Sequence, residues 1–182
     1  MGSRARAADA GEGLNVIGMQ HLLGRRLPDV ALEATSGGPV ELARLPGRVV
    51  LFCYPYTGRP GYQDPPHWDE IPGAHGSTRQ CQAYSDVYGN FRRLGIRLFG
   101  VSLLSTEWQR EFVKRTGLGF RLLSDQQRQL SGKLFLPLFE TGGIDYLQRL
   151  TLIAKDGVIE YLRYPVPVPE KDAAETLALL GS

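Results

Sequence analysis

A mixed α/β domain, one sheet with helices on both faces, is what the order of elements in this sequence predicts, and three observations carry it. Two nearly all-apolar runs, Arg48 to Pro55 and Ile96 to Val101, have the composition of strands covered on both faces. Each is followed, at some distance, by a segment whose apolar residues recur at helical spacing. Near the C-terminus Asp156-Gly157 separates two apolar runs, the dipeptide that most strongly marks a tight antiparallel hairpin. Strands alternating with helices and closed by such a hairpin make a mixed sheet.

Taken in order, residues 1–13 are Ala/Gly-rich and charged without an apolar period, which predicts a mobile arm. Leu14 to Leu23 has helix-compatible spacing but little length, so residues 1–26 are read as an arm and a short helix and residues 27–182 as the folded domain. Val30-Ala31-Leu32 and Val40-Glu41-Leu42 flank a Ser36 to Pro39 turn and form a first hairpin. After the Arg48 to Pro55 strand and a long loop, Ala83, Val87, Phe91 and Leu94 mark a helix that Gly95 stops. Ser105 caps a helix through Thr116 with Trp108, Phe112 and Val113 facing inward, and Gly117 ends it. Phe120 to Leu123 is a short strand and Gln126 to Phe135 a helix. The Asp156-Gly157 hairpin follows, and a last helix runs from Glu170 to Leu180.

The composition excludes several classes. A chain of 182 residues, 42% hydrophobic and 22% charged, can bury one sizeable core. A net charge of +2 with no basic block argues against nucleic acid as a partner. No apolar run approaches the ~20 residues of a membrane span and no signal-peptide core is visible, so the expected compartment is the cytoplasm. There Cys53 and Cys81 would remain thiols unless catalysis oxidises them.

The chemistry concentrates around the end of the first apolar strand. Tyr56 to Gly76 is a Pro/Gly-rich stretch too long for a simple connection, and its Tyr62, Trp68 and Ile71 need burial, which predicts an ordered cover over the next helix start. His67 and His75 lie in it with Asp64, Asp69 and Glu70, but their spacing matches no compact ligand pattern, so neither a metal nor another cofactor is expected. The helix begins near Ser77, and Cys81 lies four residues on, on the same face. A thiol in the first turns of a helix has its thiolate favoured by the macrodipole and by free N–H groups, and nearby cations such as Arg79 and His75 could reinforce the effect. Two plainer readings stand beside this one. Ser77 to Gln80 fits a capping box, and a free cysteine is commonly a small buried filler.

The string VVLFCYP, the loop, the helix opening at Gly76-Ser77-Thr78, the Phe91 to Ser102 segment, Leu122 to Asp125 and Arg149 to Ile153 before Asp156-Gly157 together resemble the peroxiredoxin family of the thioredoxin fold. The branch related to bacterioferritin comigratory protein is the most similar. The resemblance runs from Leu27 to Leu180 and implies a thioredoxin-like mixed sheet flanked by helices on both faces. It also implies reduction of a hydroperoxide or another small-molecule substrate, a thiol reductant of the thioredoxin or glutaredoxin type, and a homodimer as one available assembly. Arg149 falls where the family keeps its catalytic arginine. The peroxidatic position falls on Ser77, and the family's threonine has equivalents only in Pro55 and Thr57.

Oxygen cannot cycle through a sulfenic acid as sulfur does, so Ser77 cannot be the peroxidatic residue. Two classes follow. Either Cys81 with Arg149 reduces hydroperoxides, with Cys53 as a second thiol, or the scaffold has lost peroxidase chemistry and binds a ligand or partner, or catalyses another reaction, in the pocket formed by Pro55, Thr57, His75, Gly76, Ser77 and Thr78.

Overall fold

Strand β3 (Arg48–Cys53) organises the molecule, because its side chains alternate between two separate cores. In the computed structural model, which describes residues 19–181, Val49, Leu51 and Cys53 enter one apolar cluster and Val50 and Phe52, with Tyr54 beyond them, enter another. A strand buried on both faces needs neighbours on both edges. Here β4 (Arg97–Ser102) runs parallel to it on one side and β8 (Leu150–Lys155) antiparallel on the other.

The full sheet has the order β2-β1-β5-β4-β3-β8-β9. β1 (Ala31–Ala34) and β2 (Val40–Glu41) form the first hairpin, and β5 (Arg121–Ser124) joins β1 to β4. β9 (Val158–Arg163) pairs with β8 across Asp156-Gly157, both residues at positive φ as a primed two-residue turn requires. Helices cover both faces. α1 (Ser77–Asp86), α2 (Tyr88–Arg93), α3 (Thr106–Thr116) and α5 (Asp172–Leu180) contribute Cys81, Tyr84, Phe91, Phe112 and Ala173 to the Val50/Phe52 core. α4 (Gln129–Leu134) adds Leu130 and Leu134 to the other, together with Met19 and Leu22 from the start of the described chain. The mobile arm expected over residues 1–13, and the first half of the short helix, lie outside the described residues.

Four local expectations are corrected. The helix expected to run to Gly95 breaks at Val87, whose φ and ψ of −106° and 9° leave the helical region, so Leu94 ends up exposed. On α3 the fully buried positions are Gln109 and Phe112, whereas Trp108 is half-buried and spends its indole N–H on the Thr57 carbonyl. Ser105 caps that helix as expected, accepting from the Trp108 amide. An unanticipated hairpin, β6 (Leu138–Thr141) with β7 (Ile144–Leu147), stands apart from the main sheet and turns through Gly142-Gly143. Finally, the long cover loop buries Trp68, which packs with Tyr146, Ala74, Tyr56 and Phe139, but leaves Tyr62 58% exposed against Trp108 and Arg59.

Candidate active site

The cover loop, the first turn of α1 and the segment before α5 enclose a cleft of about 460 Å³. His75, Gly76, Ser77 and Thr78 line it, as the sequence indicates, and so do Tyr56, Asp64, Trp68, Arg79 and Glu170. Pro55 and Thr57 do not. They are buried behind the wall, and the Thr57 hydroxyl has no hydrogen-bond partner among the described residues. Both histidines of the loop are paired with acids: His75 meets Asp69 at 2.6 Å and His67 meets Glu70 at 3.4 Å, all four well exposed.

Ser77 opens α1, but not through the capping box that its spacing to Gln80 suggests. The residue preceding the helix is Gly76, at φ 109°, and no side chain caps the N-terminus. Gly76 is required there twice over. Its φ is unfavourable for any other residue, and a Cβ would lie 2.8 Å from Pro169 Cγ. The Gln80 side chain, instead of returning to Ser77, takes part in a buried polar chain.

Arg149 anchors that chain. It lies immediately before β8, 5% exposed, beneath the first turn of α1. Its Nη1 donates to Ser77 Oγ at 3.2 Å and to Gln80 Oε1 at 2.6 Å, and its Nη2 donates to the carbonyls of Gly73, His75 and Ala74 at 3.2, 3.1 and 3.4 Å. One guanidinium thus fixes the end of the cover loop to the start of the helix, which is what its rigid fork of donors suits it for. Burial lowers its pKa to about 10, with Cys81, Asp172 and Glu170 pulling it back up, so it stays charged near neutrality.

Cys81 is one turn deeper and 0% exposed, packed in the Val50/Phe52 core. Burial pushes its thiol up to about 12, and Arg149 opposes this without reversing it. Of the three cations expected to approach this thiol, Arg149 acts on it, whereas His75 is engaged with Asp69 and Arg79 points into the cleft wall at the surface. Cys53 does not meet Cys81. The alternation of β3 places it in the opposite core, and burial raises its thiol still further.

The residues tied to this arginine that sequence reasoning missed are Gln80, as a bridge, and Asp172. Asp172 begins α5 and is fully buried, accepting from Gln80, Tyr84, Thr151 and Arg163. An aspartate in the first turn of a C-terminal helix reads as an exposed charge favoured by the helix dipole. The available signal was the pairing of Thr151 on an apolar strand with an acidic residue just after a proline-rich turn.

A family model described as redoxin matches residues 22–179. The chain belongs to the redoxin family, on its peroxiredoxin branch. It is 31% identical to the chloroplastic peroxiredoxin Q of Sedum lineare, over 85% of this chain and 75% of that one. With the putative chloroplastic peroxiredoxin Q of Oryza sativa subsp. indica it shares 31% identity over 87% of its own length and 66% of the relative's, just under two thirds of that protein. Among solved structures, the peroxidoxin BcpB of Mycobacterium tuberculosis superposes with a TM-score of 0.69 at 21% identity, covering 87% of this chain and 96% of that one. Peroxiredoxin Q of Xanthomonas campestris gives 0.67 at 21% identity, covering 85% and 94%. These superpositions bear out the thioredoxin-like fold of the peroxiredoxin-type sheet. Among the described residues no helix is long and apolar enough to cross a membrane.

Proposed function

We propose that this peroxiredoxin reduces hydroperoxides with the Cys81 thiol, assisted by Arg149. The observation that carries the reading is the Arg149 guanidinium, buried under the first turn of α1, within reach of Ser77 Oγ and electrostatically coupled to Cys81. In the reaction, the Cys81 thiolate attacks one peroxide oxygen, the O–O bond breaks, and the other oxygen leaves as water or an alcohol after taking a proton. Sulfur is left as a sulfenic acid; one thiol of an external dithiol of the thioredoxin or glutaredoxin type condenses with it to a mixed disulfide with loss of water, and the second thiol attacks that disulfide, releasing the Cys81 thiol and leaving the reductant as its disulfide. Arg149 supplies positive charge where the peroxide oxygens and the thiolate both need it. Because Cys81 is covered, the first turn of α1 has to open before the thiol meets substrate. We place the activity in the 27–182 domain, in the cytoplasm of a bacterial-type cell, in a monomer or a homodimer.

A second reading has a specific observation in its favour. Ser77, not a thiol, faces the cleft, and the Cys81 thiol sits near 12, so the folded site suits binding of a polar ligand more directly than it suits redox chemistry. One experiment separates the two. Thiols are counted before and after stoichiometric hydrogen peroxide, and mass spectrometry locates any oxidation, in the parent and in Cys81→Ser. Loss of one thiol at Cys81 in the native protein supports the peroxidase; no loss short of denaturation overturns it in favour of the binding reading.

A further inference from the structure

Arg149 is not held in place by the sheet alone. Its strongest hydrogen bond, 2.6 Å, is to Gln80 Oε1, and the other end of the same amide, Nε2, donates to Asp172 Oδ2 at 3.0 Å. All three groups are buried, Gln80 and Asp172 completely. A guanidinium can only donate and an ionised carboxylate can only accept, so an amide is the uncharged group that can bridge them, and only in this orientation. Asp172 is itself fixed from three other elements. Tyr84 on α1 donates to Oδ2 at 2.7 Å, Thr151 on β8 at 2.6 Å, and Arg163 on β9 donates to Oδ1 at 2.7 Å. The chain therefore runs from the C-terminal helix through α1 to the arginine beneath Ser77, and its middle member, Gln80, directly precedes the buried Cys81.

We infer that Asp172, acting through Gln80, is a positioning residue. It holds the Arg149 guanidinium under the first turn of α1 and keeps that turn closed over Cys81. The inference deepens the proposed reading of the site and rests on it, since it is exposure of Cys81 that the pair would govern. Without Asp172 the Gln80 amide has no reason to present its oxygen to Arg149, the hydrogen bond between helix and arginine weakens, and the turn opens more often.

The test reads alkylation of Cys81 by iodoacetamide in the native protein, on a Cys53→Ser background, with global stability followed separately by urea unfolding. No peroxide is used, so failure of the peroxidase reading and failure of this inference give different results. Gln80→Leu and Asp172→Asn are expected to speed labelling about tenfold or more, the scale of losing a buried hydrogen bond to a charged group. Thr151→Val, which removes one donor from Asp172 and leaves Gln80 intact, supplies a milder perturbation with a rise of about threefold. Gln80→Glu alone sets two carboxylates side by side and is also fast. The pair Gln80→Glu with Asp172→Asn inverts the bridge, with the carboxylate at position 80 accepting from Arg149 and from the amide at position 172; because that amide nitrogen takes the place of the Oδ2 that accepts from Tyr84 and Thr151, labelling should fall at least about threefold from the Gln80→Glu rate without reaching the parent's. Labelling that stays at the parent rate in Gln80→Leu and Thr151→Val overturns the inference. So does labelling that tracks the urea midpoint across all variants with no rescue in the inverted pair, because that is the behaviour of a merely structural contact.

Discussion

Replacing Ser77 by cysteine places a thiol where the arginine and the helix N-terminus act together, and the outcome can be worked from the geometry. Ser77 Oγ is 3.2 Å from Arg149 Nη1. With about 4 Å between charge centres and an effective dielectric of about 20, the attraction between a thiolate there and the guanidinium is about 4 kcal/mol, or about three pKa units. The first free amides of α1 add about 0.3–1 kcal/mol in the same direction. Burial opposes both. At Cys81 it wins, lifting the thiol from 9.0 to about 12 against the same arginine. Ser77, though only 3% exposed, differs because it lines the cleft, accepts a hydrogen bond from Arg149, and sits at the helix terminus, not one turn inside it. The introduced thiol should therefore titrate below 9.0, in the direction of activated cysteines. The assay is the pH dependence of iodoacetamide alkylation of Ser77→Cys on a Cys53→Ser, Cys81→Ser background, with hydrogen peroxide consumption measured alongside. An inflection at or above 9.0 refutes the reasoning, since it means that Arg149 does not outweigh desolvation even at the mouth of the site.

Further outcomes follow from the same contacts. Arg149→Met leaves Gln80 Oε1 and the Gly73, Ala74 and His75 carbonyls without their donor, and should lower stability by about 3 kcal/mol in urea unfolding while speeding proteolysis within the cover loop. Asp125→Ala removes the buried carboxylate that accepts from the Leu130 and Ser131 amides in the first turn of α4, and should lower stability by about 1–3 kcal/mol by the same measurement. Gly157→Ala combines a φ of 80° with a Cβ 2.6 Å from the Ala43 carbonyl oxygen, and should lower the urea-unfolding free energy by about 2–4 kcal/mol. Because the folded state raises the Cys81 pKa, it holds that proton more tightly than the unfolded chain does. The stability this provides is intact below 9.0 and is lost as pH rises from 9.0 through about 12, so Cys81→Ala should show a shallower alkaline decline than the parent in urea unfolding at stepped pH.

What was legible in the sequence was decided by patterns short enough to be local. The alternation of β3 between two cores, the Ser105 cap and the Asp156-Gly157 turn each involve neighbouring residues whose physical preferences agree with the fold. The β6–β7 hairpin was missed because it lacks alternation: Leu138 and Phe139 are both half-buried, and Ile144 faces outward. The break at Val87 was missed because apolar spacing continues through it, and only the backbone angles reveal that α1 and α2 are separate helices.

The site was half legible for a related reason. Arg149 under Ser77 could be expected from the order of segments, but the orientation of Gln80 could not, since S-x-x-Q satisfies a capping box as readily as a bridge. The competition was settled by a residue 92 positions away: Asp172 draws the amide nitrogen of Gln80, and Arg149 draws the oxygen, so neither is left to cap the helix. That choice has a chemical consequence. A capping box would have tied Gln80 to its own turn and left Arg149 tethered only to loop carbonyls and a serine hydroxyl. Bridging to Asp172 instead couples the arginine to the C-terminal helix, so the electrostatics around Cys81 depend on how firmly α5 is docked. Ser77 and Cys81 are then distinguished by their place on the helix as well as by residue type. The oxygen stands at the cleft with the arginine beside it, the sulfur lies one turn below, and access to the sulfur is set by the same hydrogen bonds that hold the arginine in place.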